Sequence, residues 1–217
     1  MGMHKHPASI LLLQGSDVLP FLDGLSTNRV DGPCTTVFTN QHAKIIDVCD
    51  VIPNDNGVAL IGHEANKSQL LAHLTTKILG QSITIRDISM LNDVFLSDEK
   101  RLEMDVATVH DSFFGTMYVV PKAHEWTPTW TLEEWNNYRV DRFLPYHGYE
   151  ITQDRHPLAC GLESLVHTNK GCYVGQEIIT RMRSRGRQGH KLARKQNPVE
   201  GATTVGQTQS LIVVRTQ

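Results

Sequence analysis

Apolar positions recur along the chain with two periods, and the points where one gives way to the other mark the elements. Ile10 to Gln14 is an apolar run of strand length, and Gly15-Ser16-Asp17 after it reads as a turn and helix cap. Val18, Phe21, Leu22 and Leu25 then fall at i, i+3, i+4 and i+7, one face of a helix that tolerates Pro20 in its first turn. Thr35 to Thr39 and Lys44 to Ile52 are β-branched and apolar, with Asn40-Gln41-His42 between them as a hairpin connection. Pro53 to Gly57 is a turn, and Val58 to Ile61 the next strand. Leu70, Leu71, Leu74 and Ile78 predict a helix from Glu64 to Leu79 with Gly80 as its C-cap, and Ser82 to Ile88 alternates as a strand.

The pattern then repeats more weakly. Asp93 to Leu96, Arg101 to Val109 and Met117 to Pro121 read as strands, and Thr131 to Tyr138 as a helix capped by Thr131 with Glu133 and Glu134 in its first turn. Strands and helices therefore come as two βαβ-rich halves, residues 1–88 and 89–165, followed by a loop and helix over 166–187. Long helices do not separate every strand pair, so the pattern predicts one composite α+β domain over 1–187 rather than a doubly wound parallel sheet. Residues 188–217 hold three strand-like pieces, Lys191 to Lys195, Thr203 to Gln207 and Leu211 to Arg215, which make an appendage and not a domain.

Composition narrows the class. The 217 residues are 40% apolar and 20% charged, with 16 Gly and 9 Pro, which excludes collagen, a disordered tail and a coiled coil. The longest apolar runs, such as Ile10 to Leu13, are far short of the roughly 20 residues of a membrane span, and Met1 to His6 has no apolar stretch of signal-peptide length behind it. A cytoplasmic protein without membrane contact is predicted. Cys34, Cys49, Cys160 and Cys172 contain no CxxC pair, and reduced thiols are expected in a chain of this size.

The net charge of −2 hides an asymmetry: Lys170 to Lys195 holds eight basic residues and one acidic one. A basic stretch on an acidic body points to an anionic ligand or partner. It contains one aromatic residue, Tyr173, and no RNA-binding module, so direct nucleic-acid binding is not expected. His156, Cys160, His167 and Cys172 lie within 17 residues but lack the tight knuckle spacing of zinc sites, and no metal site is predicted. Trp126, Trp130 and Trp135 read as packing.

The most informative stretch is Lys170-Gly171-Cys172-Tyr173-Val174-Gly175-Gln176-Glu177-Ile178-Ile179-Thr180-Arg181. Gly171 and Gly175 admit backbone angles or close approaches that side chains block. Gln176 and Glu177 sit in a first helical turn, and Glu177 and Arg181 make an i,i+4 pair in the favourable order. Lys170 two residues before Cys172, and a helix N-terminus just after it, both favour a thiolate. The competing reading is a small buried cysteine that packs and does nothing else.

The run K-G-C-Y-x-G-Q-E-x-x-x-R resembles the signature of the YgfZ-type folate-binding proteins, relatives of the glycine-cleavage aminomethyltransferase (T-protein) that assist iron–sulfur cluster assembly. Phe21 to Asn28 is similar to that family's F-L-x-G-x-x-T-N segment. Asn40 to Asp47 resembles its N-x-x-G-K-x-x-D hairpin, with Ala43 where glycine is usual. Arg139 to Glu150 resembles the T-protein's R-hydrophobic-E-x-G-x-P-x-x-G-x-E segment, with Asp141 in place of its glutamate and Phe143 in place of its glycine. The long C-terminal β-barrel of the family shrinks here to the three strand-like pieces.

The resemblance implies the aminomethyltransferase folate-binding fold, two fused ferredoxin-like halves, and a protein that binds tetrahydrofolate or a one-carbon derivative. It implies help in building or repairing clusters, and thereby support for cluster-dependent enzymes such as tRNA-modifying ones. Cys172 is then the reactive or transiently cluster-contacting group, with Lys170 beside it. Asp141, Tyr173, Gln176 and Arg187 fall to the folate, and Gly171, Gly175, Glu177 and Arg181 shape the loop. A cluster needs four ligands, so partners would be assembly or client proteins meeting a monomer or weak dimer. A folate-dependent one-carbon transferase, and a scaffold that has lost its ligand, stay open as alternatives. Other readings also stay open for Asp141, as partner of Arg139 or Arg142, and for Arg181 to Arg187, as a solvated helix face or the holder of the folate's glutamate tail.

Overall fold

The computed structural model describes residues 2–99, 106–186 and 188–216. Its strands are β1 (Met3–His6), β2 (Ala8–Gln14), β3 (Cys34–Thr39), β4 (Ile45–Asn54), β5 (Gly57–His63), β6 (Thr84–Asp87), β7 (Asn92–Ser97), β8 (Thr108–Ser112), β9 (Gly115–Pro121), β10 (His190–Gln196), β11 (Thr204–Val205) and β12 (Gln209–Arg215). The helices are α1 (Val18–Leu25), α2 (Lys67–Thr75), α3 (Leu132–Arg142) and α4 (Gln176–Arg185).

The apolar runs of the first half form a five-stranded sheet in the order β3-β4-β5-β2-β6, and those of the second half a four-stranded sheet in the order β1-β7-β9-β8. Every ladder in them is antiparallel, so the βαβ pattern is an order along the chain and not a set of parallel pairs. β1 crosses between the halves: its Met-His-Lys-His sequence has no strand-like alternation, yet Met3 to His6 pair with Ser97 to Val94. The segment Arg101 to Val109 is placed only in part, since residues 101–105 lie outside the described residues, and its visible strand runs Thr108–Ser112.

The first sheet buries both faces. Leu11, Leu13, Val58 and Leu60 pack against Val18, Phe21, Leu22 and Leu25 of α1 and Leu70 and Leu74 of α2. Ile10, Val48, Ile52 and Ile61 pack on the other side with Val94, Leu96 and Met117 of the second sheet and Trp135 of α3. Each fully buried aliphatic chain contributes about 1.5–3 kcal/mol, so Leu70 and Leu74 anchor α2 although its other residues are mostly polar. That helix stops at Thr75, short of Gly80: beyond Thr76 the backbone bonds tighten to i→i+3, Lys77 N to the Leu74 carbonyl and Ile78 N to the Thr75 carbonyl. α3 begins where expected: Thr131 accepts from the Glu134 amide, and the Glu134 carboxylate accepts from Thr131 N in return.

The C-terminal strands form a three-stranded sheet, β10-β12-β11, and a buried ion pair joins it to the body. Arg139 and Glu150 are fully buried and 3.0 Å apart. Glu150 also accepts from Thr204 Oγ1 at 2.6 Å and from the Tyr146 amide, while Arg139 donates to Thr204 Oγ1 and Asn136 Oδ1. Val140, Leu192 and Leu211 close an apolar seam beside them. A buried pair stripped of one partner loses about 3–5 kcal/mol. Arg139→Met is therefore expected to lower stability by about that much in urea denaturation, and adding Glu150→Leu to recover part of the loss.

Candidate functional site

The loop that carries Cys172 is held at both ends. At its start Lys170, whose side chain is 1% exposed, donates to the carbonyls of Asp23, Ser26 and Asn28 at 2.6, 2.9 and 2.6 Å, and its Nζ lies 3.0 Å from Asp23 Oδ1. Burial pulls the ammonium's pKa down and the Asp23 carboxylate pushes it back up. These partners sit in α1 and in the loop that follows it. Lys170 thus clamps the loop to the segment before β3, and the thiolate-favouring role expected of it gives way to a structural one.

At the other end Gly175 has φ +85°, and a Cβ there would meet Thr39 Oγ1 at 2.8 Å, the Asn40 carbonyl at 2.9 Å and Ala43 Cα at 3.1 Å. Only glycine lets the loop lie this close to the β3–β4 hairpin, where Thr39 Oγ1 donates to the Val174 carbonyl at 2.7 Å. Ala43 itself takes a positive φ of 58°, a conformation that favours glycine. Gly171 is different. It has no positive φ, and a Cβ there would meet nothing within 4 Å.

Between these anchors Cys172 is exposed, at the wall of a groove of about 380 Å³ with Gln41, Tyr173, Gln176, Glu177 and Ile178. Tyr173 is also a packing residue, buried with Ala43, Leu158, Val166 and Ile179, and burial raises its phenol pKa. Gln176 opens α4 at the groove. Glu177 and Arg181 are both exposed, and no ion pair joins them among the described residues. Arg183 donates to the Glu163 and Val166 carbonyls, while Arg185 is exposed; Arg187 lies outside the described residues.

The other three thiols differ from Cys172. Burial pushes Cys34 up to about 11, Cys160 up to about 12, and Cys49 well above its usual value. Among the described residues no group of three or more His, Cys, Asp or Glu is placed to hold a metal ion.

Asp141 is a correction. It is exposed on α3 and lines none of the cavities described below, and its backbone carbonyl accepts from Arg194. The helix turns its neighbour Arg139 inward, and a residue two positions on points about 200° away.

The buried carboxylate lies elsewhere. Asp47, fully buried in β4, accepts from the amides of Val48 and His63 and from Asn66 Nδ2 at 2.8 Å. Burial, opposed by these hydrogen bonds, still pushes it up to about 7. A β-bulge between Phe38 and Thr39 leaves Ile46 as the extra residue beside it. Gly62 makes room for it, since a Cβ there would fall 2.2 Å from Asp47 Oδ2.

His147 Nδ1 lies 3.5 Å from Asp47 Oδ1, too long for a normal hydrogen bond, and both ring nitrogens of His147 are buried without a partner. Desolvation lowers the pKa of His147 well below the usual histidine value, so its ring is neutral. It stacks on His63 with centroids 4.7 Å apart, and both line a cavity of about 300 Å³ with Asn66, Gln153, Ile45 and Ile151. His6 adds to the cluster through Tyr146, its Nδ1 2.5 Å from the phenol oxygen.

The chain thus has an α+β fold with a clamped thiol loop at the β3–β4 hairpin and an imidazole-lined cavity, with the buried Asp47 behind it, beside the start of β4. That fold is the aminomethyltransferase one. The structure is similar to the crystal structure of glycine cleavage system aminomethyltransferase T from Bartonella henselae, with a TM-score of 0.76 at 13% identity, over 99% of this chain and 78% of that one. No family model matches the sequence, and no curated protein does.

Sequence reasoning did not select Asp47, although it closes the hairpin motif. The signal was available: two aspartates, Asp47 and Asp50, interrupt a run of buried apolar residues in β4, and a charge inside such a strand needs a reason. Asp50 has its own, accepting from Thr35 Oγ1 and from Ser112 and His110 of β8 to tie the two large sheets together. His147 carried no such signal.

The two glycines of the signature separate by geometry. Gly175→Ala is expected to destabilise the protein by about 2 kcal/mol or more, through positive-φ strain and the close hairpin backbone. Gly171→Ala should stay within about 0.5 kcal/mol of wild type, with thermal denaturation as the readout.

Proposed function

We propose that this chain is a tetrahydrofolate-binding protein that assists assembly or repair of iron–sulfur clusters, with Cys172 as its reactive thiol. The observation that carries the reading is the contrast among the cysteines: three are at least partly buried and held as thiols, while Cys172 stands exposed at the wall of a groove. The likeness to an aminomethyltransferase and the signature around Cys172 support it.

A reduced folate suits the second cavity. Its pterin edge presents adjacent donors and acceptors, and the two unpartnered nitrogens of His147 supply one of each in the neutral ring. Asn66, Gln153 and Asp47 lie around them, and Ile45 and Ile151 offer apolar faces to the ring. Bound folate brings one-carbon chemistry; the residues' part is to orient the pterin and keep water from it. At the groove, Cys172 gives up its proton to bind iron, supplying one ligand of the four a cluster requires. The remaining ligands come from an assembly or client protein, so the cluster is cargo shared across an interface.

A second reading, a folate-dependent one-carbon transferase, is favoured by one observation: Asp47 is pushed up to about 7, where a carboxyl group works as a general acid or base at neutral pH. Two variants separate the readings. Cys172→Ser is expected to abolish rescue of a cluster-dependent enzyme in a strain lacking this protein, while calorimetric titration with tetrahydrofolate stays unchanged. Full rescue by Cys172→Ser, with Asp47→Asn inactive, overturns the proposal in favour of a transferase. Absence of heat at millimolar tetrahydrofolate contradicts both and leaves a scaffold without its ligand.

A further inference from the structure

A larger cavity, of about 550 Å³, takes no part in either reading. It opens where the C-terminal sheet meets the body, with Met182 of α4 and Val213 of β12 among its walls. Four basic side chains from three places in the chain line it: Lys44 ahead of β4, Arg155 and His156 in the loop before the Pro157–Ala159 turn, and His190 at the start of β10. Lys44 Nζ donates to the Asp154 carbonyl, and Arg155 Nη1 to the Tyr149 and Glu150 carbonyls; among the described residues neither makes an ion pair with a carboxylate, although the Asp154 carboxylate attracts both through space. The carboxylate in the wall, Asp154, accepts from Thr152 Oγ1. Asp154 offsets part of the charge of Lys44 and Arg155, and the cavity keeps a small excess of positive charge.

His156 supplies the observation that points to a ligand. It is 7% exposed, and its Nε2 lies 2.9 Å from the Gln188 carbonyl, which can only accept. The proton on that side must sit on Nε2. Nδ1 is then left buried with no partner among the described residues. An unpartnered buried nitrogen is costly unless something in the cavity meets it, and an anion does so by holding a proton on Nδ1.

We propose that this cavity binds a small phosphate-bearing molecule, its phosphate held by Lys44, Arg155, His156 and His190. Phosphate is preferred to carboxylate because the donors come from separate segments. A carboxylate is best met by one planar fork, whereas a phosphate offers acceptors in several directions. The site is independent of folate and of Cys172, so it stands or falls separately from the function proposed above.

Inorganic phosphate is the probe, titrated into the full-length protein by calorimetry and by NMR of the histidine ring nitrogens. The expected result is saturable binding that moves the His156 Nδ1 resonance and weakens as sodium chloride is raised. Lys44→Gln and Arg155→Gln should each weaken it about tenfold, the loss of one charge-assisted hydrogen bond. Arg155 also supports two carbonyls, so His190→Gln, at an exposed position, provides a variant that leaves the fold intact and should weaken binding too. Lys5→Gln, at a surface ion pair with Asp93 elsewhere, should change nothing. Absence of saturable binding, an unmoved His156 resonance, or equal affinity for citrate would each overturn the assignment.

Discussion

The placement of Cys172 depends on a buried ammonium group. Taking a lysine out of water costs several kcal/mol unless each of its donors is met, and Lys170 meets the condition with three carbonyls and a carboxylate. Those acceptors are the orphan carbonyls at the end of α1 and in the loop after it, so the same contact also satisfies a helix terminus. Two residues on, the sulfur is exposed; three further, Gly175 presses on the β3–β4 hairpin. A segment fixed at both ends over so short a span has little freedom left, which keeps the groove open without help from a ligand.

The same hairpin links the two candidate sites. Gln41 near its tip shares the groove with Cys172, and Ile45 with Ile46 at the start of β4 lines the cavity of His63 and His147. Lys44, between them, belongs to the basic cavity. Three ligand-sized spaces thus border six consecutive residues. The C-terminal strands matter to this arrangement through Arg139 and Glu150. Their buried pair needs the Thr204 hydroxyl, so the small sheet is bonded into the interior and also supplies one wall of the basic cavity.

What could be read from the sequence was what is local and periodic. α1, the β3–β4 hairpin and the Thr131 capping box were legible because their apolar spacing or cap chemistry lies within a few residues. β1 was not: Met-His-Lys-His has no pattern of its own, and it becomes a strand because an edge formed some ninety residues later needs a partner. Among the site residues, Cys172 and Gln176 lie at one groove and Gly175 presses on the β3–β4 hairpin. Lys170 was misjudged because nearness in sequence says nothing of where a four-carbon chain leads. Asp141 was misjudged because the motif gives position along α3 but not the face. Asp47 and His147 meet only in the folded chain, a hundred residues apart.

The central claim is that one sulfur of four is presented by a clamped loop, while Cys49 and Cys160 are sealed and Cys34 is half-buried with its thiol pKa raised. Brief alkylation of the native protein with iodoacetamide, followed by peptide mass spectrometry, tests it most directly. The account predicts rapid modification of Cys172, with Cys34, Cys49 and Cys160 reacting only after denaturation. Protection of Cys172 in the native state, or reaction of Cys49 and Cys160 at a comparable rate, would contradict it.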